Sequence, residues 1–302
     1  MVAPERGGLC TVTDADADAE AGASGARPWF TPVTEQLTPA DLKIDVPHSA
    51  RVYDCFLGGK DNFPADREAA EQTLAIFPDM RTGARENRAF LHRATRRLVR
   101  ELGLRQFLDI GTGIPTSPNL HEVAQEAAAD ARIVYADNDP IVLAHARTLL
   151  TGTRQGRTAY LDADLREPEK ILASPELAET LDLDRPLVLS LIAVLHFIPE
   201  SDDPYGLVRR YTEILPPGSY VALTHATGDF APEEAERVSA VYQARGIALT
   251  PRSRVEVEGS LTGLDLGEPG VVPVHRWHAE KDVPEELADS RVNVYGAIAR
   301  VP

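Results

Sequence analysis

A chain of 302 residues, 43% hydrophobic and 26% charged, has the make-up of a globular protein and the length of one large α/β domain or two smaller ones. Its formal charge of −16 argues against nucleic acid as a partner, because binding a phosphate backbone needs a basic surface. Two cysteines, Cys10 and Cys55, are too few for a disulfide framework or a cysteine zinc site, and the longest apolar stretch, residues 186–199, falls short of the roughly 20 residues a membrane span takes. The N-terminus has no continuous apolar core of the kind a secretory signal carries, so the expectation is a cytoplasmic protein with no membrane partner.

Residues 1–40 differ from the rest. Alternating Asp and Ala between Thr13 and Glu20, followed by Ala, Gly, Ser and Pro, predict a disordered acidic tail with Trp29-Phe30 as a candidate anchor. Residues 41–103 form the next region, an N-terminal helical cap. Segments 66–77 and 84–102 place apolar residues at helical spacing, the second through Phe90, Leu91, Ala94, Leu98 and Leu102, and Gly103 ends it. From 104 to 302 short apolar runs alternate with helical stretches. Strands are expected at 106–110, 132–136, 158–162, 186–194 and 220–225, with helices near 118–129, 140–150, 168–180, 204–215 and 232–245. Repeated strand-helix units imply a parallel sheet covered on both faces. Two further runs, 264–274 and 292–301, have no long helix between them and so predict antiparallel pairing at the end. The fold class is α/β, a doubly wound seven-stranded sheet with an N-terminal helical cap.

The strongest local signal is Phe107-Leu108-Asp109-Ile110-Gly111-Thr112-Gly113, an apolar strand entering a Gly-x-Gly turn before a helix. Such a turn lets backbone approach a nucleotide closely. A third glycine of the dinucleotide fingerprint is missing, since position 116 is Thr. The next strand ends at Asp137, 24 residues after Gly113, near the spacing of a carboxylate that takes ribose hydroxyls. A third strand ends Leu161-Asp162-Ala163-Asp164-Leu165. Three strands delivering carboxylates to one edge mark the ligand crevice of an open α/β sheet.

These residues resemble the successive motifs of class I S-adenosylmethionine-dependent methyltransferases. Within that class the chain is most similar to a bacterial family of S-adenosyl methyltransferases of unknown substrate. That likeness rests on residues 50–63 (Ala50-Arg51-Val52-Tyr53-Asp54-Cys55-Phe56-Leu57-Gly58-Gly59-Lys60-Asp61-Asn62-Phe63), Asn87-Arg88-Ala89-Phe90-Leu91, Tyr135-Ala136-Asp137-Asn138-Asp139-Pro140 and Glu268-Pro269-Gly270-Val271-Val272, and it covers residues 43–302. The resemblance implies a Rossmann-like sheet of the methyltransferase type with an antiparallel last strand. It also implies S-adenosylmethionine as cofactor and S-adenosylhomocysteine as product. Gly111, Thr112 and Gly113 would border the methionine part and Asp109 its amino group. Asp137 would take the ribose hydroxyls, Asn138 would lie beside the adenine, and Asp164 and the Leu165 amide would meet the adenine edge. Ammonium, hydroxyls and an exocyclic amine are all donors, which carboxylates accept.

Ser190 opens the segment after the fourth strand, which in similar enzymes faces cofactor and substrate. His196 and His225 are the catalytic candidates there, each as a base or substrate-orienting group or else as a satisfied wall histidine. Tyr53, Gly59, Lys60 and Asn62 are expected to close over the cofactor as a lid, against the alternative of an ordinary turn. Arg88 is a candidate partner for a carboxylate or a plain surface arginine. His275 and His278 lack further ligands at a metal-site spacing, and no metal is expected. The basic run 93–100 reads as a solvated helix face.

The expected activity is methyl transfer to a small-molecule acceptor by a monomer or homodimer. Two alternatives stand beside it: a non-catalytic S-adenosylmethionine-binding regulator, and an NAD-dependent oxidoreductase.

Overall fold

The short strands are near-continuous apolar runs, so each strand puts apolar side chains on both faces of the sheet. In the computed structural model, which describes residues 43–149, 152–279 and 287–302, the parallel strands are β1 (Gln106–Ile110), β2 (Arg132–Asp137), β3 (Arg157–Asp162), β4 (Val188–Leu191) and β5 (Tyr220–Ala226). They lie in the order β3-β2-β1-β4-β5, and the antiparallel β8 (Val294–Arg300) pairs with β5. Leu108, Ile110, Val134, Ala136, Leu189 and Leu191 enter the core on one face. Phe107, Ile133, Tyr135, Val188 and Ala222 enter the core on the other, as a two-residue period requires. The predicted acidic tail and Cys10 lie outside the described residues.

Three expectations shift in detail. The run 264–274 pairs with β8 only at β6 (Asp265–Leu266) and β7 (Val272–Pro273). After Gly267, whose amide still donates to the Ile298 carbonyl at 2.9 Å, residues 268–271 leave the ladder, with Gly270 at φ +81, so the predicted sixth strand is two short ones and the sheet has eight strands where seven were expected. β4 stops at Leu191, short of the predicted 194. Ala193 there adopts φ +54, a left-handed conformation that costs a non-glycine residue about 1 kcal/mol, and its N–H donates to Thr224 Oγ1 at 2.9 Å. The predicted helix 168–180 is two helices, Pro168–Leu172 and Pro175–Thr180. Ser174 caps the second by accepting from the Leu177 amide at 3.3 Å, with Pro175 in its first turn.

The N-terminal region is helical as expected: α1 (Ser49–Leu57), α2 (Pro64–Ile76) and α3 (Met80–Arg100). Gly103, at φ +74, follows α3, and the Leu104 amide returns to the Leu98 carbonyl at 3.0 Å. α3 is longer than predicted and belongs as much to the sheet as to the cap. Phe90, Leu91, Ala94 and Leu98 pack with Phe107 and Trp277 beneath the strands. α1 and α2 pack instead against the helix after β5, Pro232–Gln243, through Val52, Phe56, Ala69, Val238 and Tyr242. A buried ionic cluster ties α1 to the end of β2. His48 Nδ1 lies 2.9 Å from Asp139 Oδ2, and the fully buried Arg51 places Nε 3.3 Å from that oxygen and 3.6 Å from Asp66 Oδ1. His48 Nδ1 is also 3.4 Å from the Ala50 amide; one nitrogen cannot donate and accept at once, and the shorter contact to a carboxylate fixes the proton on Nδ1.

Candidate functional site

The parallel strands end together on one edge, and a cavity of about 400 Å³ opens there, within the range of small-molecule and cofactor sites. Asp109, Gly111, Thr112, Gly113, Asp137, Asn138, Asp164, Leu165 and Tyr53 all line it. The cavity therefore gathers nine of the residues expected from sequence to bind the cofactor.

Asp109, one residue before the end of β1, has its side chain buried. Burial pushes its carboxyl up to about 6, against the Ser190 hydroxyl and the Arg88 guanidinium, which favour the charged form. Asp137 ends β2, also buried, and burial raises it too, opposed by the amides that donate to it. Those amides are Gly113 to Oδ2 at 2.8 Å and Asp139 to Oδ1 at 2.9 Å. Asp137 thus shapes the glycine turn while presenting its remaining lone pairs to the cavity. Gly111, at φ +74, faces Val194 so closely that a Cβ would collide with it; Gly113, at φ +69, has open space where a Cβ would stand. Backbone and two buried carboxylates bordering empty space suit a ligand rich in donors, as S-adenosylmethionine is.

Asp164 is less free than expected. Arg166 grips both its oxygens, Nε to Oδ1 at 2.9 Å and Nη2 to Oδ2 at 2.7 Å, and Asn138 donates to Oδ2 at 3.0 Å. Arg166 accordingly holds the Asp164 carboxyl down at about 2. Arg166, two residues on in a turn, carries no sequence signal of its own. Arg88 lines the cavity and donates to the carbonyls of Thr116 and Pro118, the latter at 2.8 Å, which fixes the loop after the glycine turn. Residues 197–199, from the segment expected after the fourth strand, also form its wall, as do His48 and residues 246–248, which sequence reasoning missed because no local pattern marks them.

Four expected contacts are corrected. Gly59, Lys60 and Asn62 do not line the cavity. Their loop wraps around Asp54, which accepts from Asn62 Nδ2 at 2.7 Å and the Asp61 amide at 3.1 Å. A Cβ at Gly59 would collide with the Asp54 carboxylate, so the glycine serves close packing and Lys60 points to solvent. Of the expected lid only Tyr53 faces the cavity. Ser190 pairs with Asp109 across β4 and β1 but lies behind the wall.

The catalytic candidates also lie off the cofactor cavity. His196 is buried, and its Nδ1 accepts from the Ala226 amide at 3.2 Å. That places its ring proton on Nε2, and burial together with His225 and Arg252 drives its pKa well below the usual histidine range. In this tautomer His196 is a donor and has no free lone pair with which to act as a base. His225 is wholly buried, with Nδ1 donating to the Ala226 carbonyl at 2.7 Å and Nε2 accepting from Arg252 at 2.9 Å. It is a satisfied structural histidine. His275 and His278 part company as well, Nε2 of the first lying 3.1 Å from Asp289 Oδ1 and Nε2 of the second bonding the Glu268 carbonyl at 2.9 Å.

A second, smaller cavity of about 100 Å³ adjoins the first. Ser49, Tyr53, Asn87, Ala193 and Phe197 line both. His196 lines the second.

Residues 35–302 match the family described as S-adenosyl methyltransferase. A solved DUF574 family protein from Streptomyces avermitilis is 48% identical, with a TM-score of 0.84 over 86% of this chain and 100% of its own. A candidate methyltransferase from Thermobifida fusca is 37% identical, with a TM-score of 0.80 over 86% of this chain and 97% of its own. No protein of curated function matches the sequence.

Proposed function

We propose, for a chain that belongs to the S-adenosyl methyltransferase family, that its S-adenosylmethionine-dependent transfer delivers the methyl group to a small molecule. The cofactor supplies an electrophilic methyl: the acceptor's lone pair forms the new bond, the carbon–sulfur pair stays on sulfur in S-adenosylhomocysteine, and the acceptor's proton passes to solvent. The observation that carries the reading is the convergence of Asp109, Asp137 and the open side of Gly113 on one cavity of about 400 Å³.

In this reading Asp109 faces the amino group of the methionine moiety. Asp137 accepts from the ribose hydroxyls, and Gly111, Thr112 and Gly113 give close backbone approach. Asn138, Asp164 and the Leu165 amide border the adenine, with Arg166 holding the Asp164 carboxylate in place. The chain's own contribution is positioning and exclusion of water, which in-line displacement mainly needs. Neither the regulatory nor the NAD-dependent alternative is favoured by the family match. Among the described residues no helix is long and apolar enough to cross a membrane, and the charge of −16 favours a small-molecule acceptor over nucleic acid. α1, α2 and α3 serve as the cap over the site.

Calorimetric titration with S-adenosylmethionine, S-adenosylhomocysteine and NAD tests the assignment. Binding of the first two, abolished in Asp137→Ala, is the expected result. Binding of NAD alone would overturn it.

A further inference from the structure

The smaller cavity differs from the larger in chemistry. Its walls are mostly apolar, from Phe56, Phe77, Met80, Val238, Leu249 and their neighbours, and Glu234 is the one charged residue among those lining it. The cofactor cavity, by contrast, carries Asp109, Asp137, Asp164 and Arg166. The two share the wall formed by α1, α3 and the turn after β4, so a molecule in the smaller cavity lies next to one in the larger.

Asn87, on α3, stands in that shared wall and is 2% exposed. Its orientation is fixed by a chain of hydrogen bonds. Tyr53 Oη donates to the Ala84 carbonyl at 3.0 Å, so that oxygen can only accept from Asn87 Nδ2, 2.9 Å away. The carbonyl oxygen Oδ1 is left buried with no donor among the described residues. Asn293 lines the smaller cavity too, and its Oδ1 is likewise buried without a donor. Leaving a buried acceptor unpaired costs about 1–3 kcal/mol, so two such acceptors on residues that line one cavity mark where a ligand's hydrogen would be taken.

We infer that the smaller cavity is the acceptor site, and that the acceptor is a small, largely apolar hydroxy or amino compound without a negative charge, whose O–H or N–H donates to Asn87 Oδ1. This inference rests on the methyltransferase reading above. A dry apolar cavity of about 150 Å³ holds benzene, so at about 100 Å³ the enclosed part of the acceptor is no larger than one ring. The hydrogen bond to Asn87 orients the nucleophile's lone pair toward the cofactor cavity. During transfer that lone pair forms the new bond to carbon, sulfur keeps the carbon–sulfur pair, and the proton passes to solvent. Asn87 is a positioning group here, since an amide oxygen does not take the proton.

The test uses the full chain, with and without saturating S-adenosylhomocysteine, titrated with phenol, aniline, toluene and benzoate and followed by saturation-transfer NMR and calorimetry. Phenol or aniline should bind roughly five- to tenfold more tightly than toluene, the worth of one net hydrogen bond, and benzoate should not bind. Asn87→Leu should remove that preference while toluene still binds. Val238→Phe should abolish binding of every probe and leave S-adenosylhomocysteine affinity within about twofold. If Val238→Phe fails to fold, Ala235→Leu fills the same wall. Equal binding of phenol and toluene, probe binding that survives filling of the cavity, or no binding of any probe to the wild type overturns the inference. The cofactor titration keeps the two readings apart: probes that bind where S-adenosylhomocysteine does not would break the methyltransferase reading and leave this cavity a binding site.

Discussion

Arg252 Nη1 donates to Nε2 of His225 across 2.9 Å, and neither side chain reaches solvent. The same guanidinium bonds the carbonyls of Leu195 at 3.3 Å and Ile198 at 3.0 Å and the Glu200 carboxylate at 2.6 Å. One arginine therefore locks the segment after β4 onto the end of β5. That segment carries Ala193, His196 and Phe197 to the walls of the two cavities.

Replacing Arg252 by Met should leave two buried acceptors, the Ile198 carbonyl and His225 Nε2, without their donor, while the Leu195 carbonyl keeps the Ile198 amide. We expect a loss of about 2–4 kcal/mol in denaturant unfolding, with Arg252→Lys recovering only part of it because an ammonium cannot reproduce the fork. At a temperature where the variant is folded, methyl transfer should fall more than cofactor affinity does. Equal stability of wild type and Arg252→Met would remove the arginine from this role.

Asp109 makes the ligand-free protein pay for its site in stability. Its folded pKa of about 6 lies above the ordinary 3.8, so the native state holds the proton more tightly than the unfolded one. Stability from this group is full below the unfolded value, declines as pH rises from 3.8 to 6, and is flat above. Asp109→Asn should accordingly be more stable than wild type at pH 7, by up to about 3 kcal/mol, with the advantage vanishing near pH 4. Unfolding curves at pH 4, 5, 6 and 7 decide it.

The same carboxyl links cofactor binding to pH. If Asp109 meets the ammonium of S-adenosylmethionine, binding requires its charged form. Affinity should then be constant above pH 6.5 and fall toward tenfold per pH unit below 6, with proton release seen as a dependence of the calorimetric heat on buffer ionisation. A flat profile through this range would place the ammonium elsewhere.

The loop once expected to cover the cofactor offers a contrasting case. Gly59→Ala should destabilise the fold, because the new methyl meets the Asp54 carboxylate, whereas Lys60→Ala should change neither stability nor cofactor affinity beyond about 0.5 kcal/mol. Thermal unfolding and calorimetry on both variants suffice, and a large loss of cofactor affinity in Lys60→Ala would restore the lid.

What the sequence determined by itself was whatever is written in a local period or turn. Near-continuous apolar runs specify strands with two buried faces, Gly111 and Gly113 specify a turn that needs positive φ, and an acid at the end of each apolar run comes to one edge once the strands are parallel. Asp109, Asp137 and Asp164 follow from that topology alone. The tertiary structure decided which of their lone pairs are free and what surrounds them. Arg166 covers Asp164, the Ala226 amide fixes the tautomer of His196, Arg252 satisfies His225, and Asp54 draws Gly59 and Asn62 away from the cavity. Two of these pairings, Ala226 with His196 and Arg252 with His225, join separate segments of the chain, and all depend on burial and side-chain direction, which come from packing and leave no spacing to read. The second cavity is the extreme case: its wall is assembled from α1, α3, the turn after β4 and the helix after β5, and only their meeting leaves Asn87 with an oxygen that no donor among the described residues satisfies.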